Sequence, residues 1–121
     1  IMLKDNHIDA CGGIPRALRR TRAYLESTGR DLPVVVECRT IEDVRQCLDH
    51  GEIHRLLLDN ITPDRLREAV SIARGIHATE ASGNITAANL VSYAETGVDY
   101  LSMGALTHSA RPIDMSLKLE A

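Results

Sequence analysis

Residues 33–38, Pro33-Val34-Val35-Val36-Glu37-Cys38, decide the fold. A continuous β-branched run is the signature of a strand buried on both faces, as in a parallel sheet between helices. Thr40 follows at once, with Asp43 three residues on, the acidic form of a capping box. Ile41, Val44, Cys47 and Leu48 then recur at helical spacing. A strand therefore runs directly into a helix.

The same pattern extends in both directions. Downstream, "RLLLDN" (55–60) reads as a strand, and Thr62 and Pro63 supply the N-cap and first residue of the next helix. "HATEASGN" (77–84) is a shorter, more polar strand with a glycine exit. Thr86 opens a helix ending at Gly97, "DYLSMG" (99–104) is the last clear strand, and "IDMSLKLE" (113–120) closes as a short strand or helix. Upstream, "IML" ends a strand and runs into the polar stretch "KDNHID" (4–9). "GGIPRALRRTRAYLEST" (12–28) is a helix with Pro15 in its first turn, Ile14, Ala17, Leu18 and Leu25 on its apolar face, and Gly29 as its stop.

Alternating strands and helices mean βαβ units, a parallel sheet and right-handed crossovers. Two architectures satisfy this: a doubly wound sheet and a section of a TIM-type barrel. A full barrel takes about 250 residues, so 121 residues make one compact domain and only part of a barrel. The start at Ile1, inside a strand, points to a fragment.

Composition excludes several functions. Net charge is −3, with three Tyr and no Phe or Trp, so there is neither an electrostatic nor a stacking case for nucleic acid, and no charge case for a membrane surface. No run has the length of a membrane helix. Cys11, Cys38 and Cys47 are odd in number and show no CxxC spacing, which suits a reducing, cytoplasmic setting and small buried hydrophobes. His7, His50, His54 and His77 read as surface or satisfied core histidines, and Met2, Met103 and Met115 as packing.

The chemistry lies where apolar runs stop. Leu3 is followed by Lys4, Val36 by Glu37, Leu58 by Asp59, Ala81 by Ser82 and Met103 by Gly104. In α/β folds the carboxyl ends of parallel strands line the ligand site, so these residues are expected on one rim. Singly, each has a plain alternative. Lys4 and Asp5 could be a solvated pair, Glu37 could pair with Arg39, and Asp59 could begin a turn. Together, a lysine, two carboxylates and two glycine-bearing loops suit a phosphorylated sugar. Carboxylates hold ribose hydroxyls directly or through Mg²⁺, and glycines let backbone N–H groups approach a phosphate. "SGN" (82–84) and "GALTHS" (104–109) match the usual barrel phosphate site, with Thr107, His108 and Ser109 opening a short helix whose N-terminus favours an anion.

"LKDNHI", "VVVE", "LLLDN", "EASGNI", "TGVDYLSMGALTHSA" and "DMSLKL" together resemble the C-terminal part of quinolinate phosphoribosyltransferase, also called nicotinate-nucleotide pyrophosphorylase (carboxylating). The resemblance covers essentially the whole chain. It implies an α/β fold in which residues 1–121 are the C-terminal portion of a partial, TIM-like, incomplete barrel with parallel strands. The implied activity, a step of NAD biosynthesis, makes nicotinate mononucleotide, pyrophosphate and CO₂ from quinolinate and phosphoribosyl pyrophosphate, with Mg²⁺ accompanying the donor and no organic cofactor. It implies a homodimer or higher homo-oligomer. Lys4, Glu37 and Asp59 are the implied catalytic residues, with Glu37 and Asp59 toward the metal, directly or indirectly. The implied substrate-binding set is Lys4, Glu37, Asp59, Ser82, Gly83, Asn84, Ser102, Gly104 and His108. Asn84 stands where the family usually has a second glycine. The family's "TRKT"-like and "HR"-like segments, which supply further cations, lie outside these residues, so the chain alone is expected to be inactive. The rival readings are a molybdenum-utilisation homologue of the same fold and a non-catalytic phosphate-binding fragment.

Overall fold

The computed structural model describes residues 1–108 and 113–119. Its elements are β1 (Met2–Leu3), α1 (Asp5–Cys11), α2 (Ile14–Thr28), β2 (Val34–Cys38), α3 (Ile41–Cys47), β3 (Ile53–Asp59), α4 (Pro63–Ala73), β4 (Ala78–Ser82), α5 (Leu90–Ala94) and β5 (Tyr100–Leu101), followed by a 3₁₀ turn at Gly104–Leu106. All strand pairs are parallel, and the sheet order is β1-β2-β3-β4-β5.

That order decides between the two architectures. A doubly wound sheet reverses its strand order once and so places helices on both faces. Sequential order with right-handed crossovers places them on one face, as in a barrel wall. The helices accordingly pack in chain order, α1 on α2, α2 on α3, α3 on α4 and α4 on α5. The sheet is not closed; it is an open section of barrel wall.

The register assigns the two faces. Val36 pairs with Leu56 and Leu56 with Thr79, while Cys38 pairs with Leu58 and Leu58 with Ala81. These residues are buried under Ile14, Leu18, Val44, Cys47, Leu66 and Ala69. The second face carries Val35, Glu37, Arg55, Leu57, Asp59, Glu80, Ser82 and Tyr100. No helix covers that face among the described residues. The valine run is therefore fully buried at Val34 and Val36 but only half-buried at Val35, where burial on both faces was expected.

The local signals act largely as read. Along α2, Ile14, Ala17, Leu18 and Thr21 are buried at helical spacing, and Gly29 (φ 62°) ends the helix in the left-handed conformation. Thr40 Oγ1 accepts from Asp43 N at 3.1 Å, and Asp43 Oδ2 accepts from Thr40 N at 2.9 Å, completing the capping box. Four expectations differ. The polar stretch after Lys4 is the helix α1, opened by Lys4 N–H donating to His7 Nδ1 at 3.1 Å. Thr86 starts a turn, because its N–H donates to Asn89 Oδ1 at 2.7 Å, and α5 begins only at Leu90. The last strand narrows to Tyr100–Leu101. Residues 113–119 form neither strand nor helix, and Glu120 lies outside the described residues.

Candidate functional site

Every strand in the sheet delivers its carboxyl end to one edge, and the expected residues collect there. Asp59 ends β3 opposite Ser82, which ends β4. Asp59 Oδ1 accepts from Ser82 Oγ at 2.6 Å, and Oδ2 accepts from Asn60 Nδ2 at 2.6 Å. Asn60 and Asn84 both adopt φ 54°, a left-handed conformation asparagine tolerates. The Asn84 amino group donates to Asn60 Oδ1 at 2.9 Å. Gly83 (φ 86°) passes so close to Asn60 that a Cβ would meet Asn60 Oδ1 and lie 2.9 Å from its backbone N.

Glu37 lies one strand away on the same face, level with Leu57. It is 6% exposed. Its one hydrogen bond among the described residues is from Asp5 N to Oε2, at a long 3.3 Å. Arg39 does not pair with it: the guanidinium grips Asp9 at 2.9 and 3.3 Å. A buried carboxylate this thinly served stands ready to accept a further donor or a cation. Lys4 directly follows β1, beside Glu37, and is exposed, with no ion pair among the described residues.

The third group follows β5. Ser102 continues the ladder, its N–H donating to Ala81 O at 3.0 Å and its hydroxyl donating to Glu80 Oε1. Both its protons are committed, so it offers a ligand only acceptor capacity. Gly104 does not use a left-handed backbone, and the nearest atom to a Cβ there is His108 Cδ2 at 3.5 Å, an ordinary contact. The expected helix at Thr107–Ser109 is absent from the described part. The 3₁₀ turn starts at Gly104, and its carbonyl accepts from Thr107 N and His108 N at 3.0 and 2.7 Å. Ser109 lies outside the described residues. A cleft of about 370 Å³ runs along Ser102, Met103, Gly104 and Thr107.

Two sets of residues were not singled out from the sequence. One is Asn60 with Asn89, whose amino group holds Asn84 O at 3.1 Å. The other is an internal ion pair below the rim. Arg55 Nη1 donates to Glu80 Oε2 at 2.7 Å, with the guanidinium stacked 4.1 Å from the Tyr100 ring centroid. Arg55 and Glu80 side chains are 26% and 14% exposed. The signal was present: Arg55, Leu57 and Asp59 alternate along one strand, so a charge at Arg55 must share the face of Asp59.

A metal can be held here only in part by protein. Among the described residues no three His, Cys, Asp or Glu side chains gather. The donor set is two separate carboxylates, Glu37 and Asp59. That fits Mg²⁺, which commonly binds through one or two carboxylates with substrate phosphates completing its shell.

A singly wound parallel sheet with carboxylates, a lysine and glycine loops at its carboxyl edge defines an α/β-barrel segment with a strand-end ligand site. Residues 1–118 match the model of "Quinolinate phosphoribosyl transferase, C-terminal domain", and the chain belongs to this family. It is 42% identical to quinolinate phosphoribosyltransferase [decarboxylating] 2b, mitochondrial, of Nicotiana tabacum, over 99% of this chain and 38% of that protein. It is 38% identical to a probable nicotinate-nucleotide pyrophosphorylase [carboxylating] of Bacillus subtilis, over 97% of this chain and 39% of that protein. It also superimposes on NadC from Streptococcus pyogenes with a TM-score of 0.86 at 34% identity, covering 98% of this chain and 40% of that one. The chain thus spans about two fifths of the length of these relatives.

Proposed function

We propose that these residues form the strand-end site of a nicotinate-nucleotide pyrophosphorylase (carboxylating), joining quinolinate to the phosphoribosyl group of phosphoribosyl pyrophosphate. The observation that carries the reading is the buried, thinly hydrogen-bonded Glu37 beside a fully oriented Asp59, in a chain of this family. Carboxylates so placed suit ribose hydroxyls and positive charge developing at C1.

In this reading the quinolinate ring nitrogen attacks C1 of the ribose, the C1–O bond breaks, and pyrophosphate leaves with the electron pair. Glu37 and Asp59 accept the ribose hydroxyls and face the oxocarbenium-like carbon. The Ser82 hydroxyl already donates its hydrogen bond to Asp59, so it can only accept from the sugar. Lys4 meets a quinolinate carboxylate. The backbone of Gly83–Asn84 and the Gly104–His108 turn surround the 5′-phosphate. Loss of CO₂ from the 2-carboxylate leaves an electron pair on C2, stabilised by the adjacent cationic nitrogen until a proton replaces it. Mg²⁺ bound with the donor would be held in part by Glu37 and Asp59 and would supply positive charge toward the pyrophosphate oxygens. A homodimer or higher homo-oligomer in the reducing cytoplasm belongs to the same reading. Of this, three free thiols support the reducing compartment.

The test is turnover. The protein at its natural length should form nicotinate mononucleotide from quinolinate and phosphoribosyl pyrophosphate. Glu37→Ala and Asp59→Ala should each lower kcat and kcat/KM alike, by roughly a hundredfold. Wild-type kinetics in both variants would remove the assignment.

A further inference from the structure

We propose that Asn60 is a positioning residue for Asp59, and that Asn84 acts on the same carboxylate through Asn60. The inference rests on the proposed function for the role of Asp59. An ionised carboxylate has no proton to give, so the 2.6 Å contact between Asp59 Oδ2 and the Asn60 side chain must be donated by the Asn60 amino group. That turns Asn60 Oδ1 toward Asn84, 2.9 Å away, where only the Asn84 amino group can satisfy it. The direction of every bond is thus imposed from the Asp59 end.

The backbone holds this relay in place. Asn60 N donates to Ser82 O at 2.9 Å, stapling the β3 exit to the β4 exit. Gly83 fits flush against Asn60, with no room for a side chain between them. At the far end Asn89 Nδ2 donates to Asn84 O at 3.1 Å while Asn89 Oδ1 accepts from Thr86 N at 2.7 Å, tying the relay to the turn before α5. With Ser82 on Oδ1 and Asn60 on Oδ2, both carboxylate oxygens are oriented and each keeps capacity for a ligand donor. What asparagine adds over glycine at position 84 is this link to the sugar-facing carboxylate.

The experiment uses Asn60→Gly, Asn84→Gly and the double variant in the protein at its natural length. Glycine keeps φ near 54° without strain, so the loops retain their path, and urea unfolding verifies the fold. Asn60→Gly should lower kcat/KM for the phosphoribosyl donor on the order of tenfold, and Asn84→Gly by about threefold, with KM for quinolinate unchanged. The double variant should be no worse than Asn60→Gly, because Asn84 acts only through Asn60. Asn60→Asp, which sets one carboxylate against another, should fall below Asn60→Gly. The dissociation constant for ribose 5-phosphate, measured by calorimetry with Mg²⁺, should follow the same order. Wild-type donor kinetics and sugar-phosphate affinity in Asn60→Gly overturn the relay, as do multiplicative losses in the double variant. A wild-type protein that binds ribose 5-phosphate more tightly than Asn60→Gly, yet makes no nicotinate mononucleotide, upholds the relay and refutes the proposed function.

Discussion

At Gly83 two constraints coincide. Its φ of 86° is a backbone conformation L residues rarely adopt, and a Cβ would be driven against the Asn60 amide and backbone. Neither can relax cheaply, because Asn60 N is bonded to Ser82 O and its side chain to Asp59 and Asn84. Gly83→Ala should therefore cost about 2 kcal/mol or more, through strain and displacement of Asn60. A urea midpoint equal to wild type would show that the loop adjusts freely. At this scale the sequence was informative about charge and silent about amides. Glu37 stood out because a carboxylate follows a valine run at the carboxyl end of a strand. Asn60 reads simply as the start of a turn after Asp59, because its partner Asn84 is 24 residues away and only the β3–β4 register brings the two loops together.

Among the elements, β5 is short and is held in part by a side chain. The strand spans only Tyr100 and Leu101, with one further ladder bond from Ser102 N, and Asp99 reinforces the junction. Thr79 N and Thr79 Oγ1 both donate to Asp99 Oδ2, at 2.7 and 2.8 Å. These bonds hold the Asp99 carboxyl below its ordinary value. A depressed folded-state value means the unfolded chain takes up the proton first. The stabilisation is thus present above the usual aspartate value of about 3.9 and is lost as pH falls through the lower folded one. Asp99→Asn keeps the shape and removes the charge. Its thermal midpoint should lie below wild type at pH 7, with the gap closing in strongly acidic solution; a gap independent of pH would contradict the clamp. Element boundaries were legible where apolar period and caps agreed, as in α2, β2 and α3. They were not where the signal was polar. Only Ile8 is buried along α1, so its helical period hardly shows, and the Asn89 side chain converts the residues after Thr86 into a turn.

For the whole molecule, the alternation of strands and helices fits either winding. Only the sequential sheet order, which local sequence does not encode, selects the barrel wall. That winding stacks no helix on one face of the sheet among the described residues, although Glu37 and Leu57 at its centre are buried by their neighbours. Met2 and Tyr100 are 47% and 49% exposed there, and β1 and β5 present open edges. Unpaired edges and exposed apolar side chains favour association. The rim is also short of positive charge. Arg39 is taken by Asp9 and Arg55 by Glu80, which leaves Lys4, and Arg65 in the cleft beside Asn60, as the cations near the rim without an ion pair among the described residues. Quinolinate brings two carboxylates and the phosphoribosyl donor several phosphates. Confining that much negative charge against Glu37 and Asp59 with so little compensation carries a heavy desolvation cost. Residues 1–121 on their own should therefore self-associate and turn over no quinolinate, with at most weak phosphate binding at Ser82–Asn84 and the turn after Gly104. Light scattering on the isolated chain and an assay for nicotinate mononucleotide check both halves. A stable monomer would show that this face of the sheet needs no partner, and sustained turnover would show that the few unpaired cations of these residues suffice for the site.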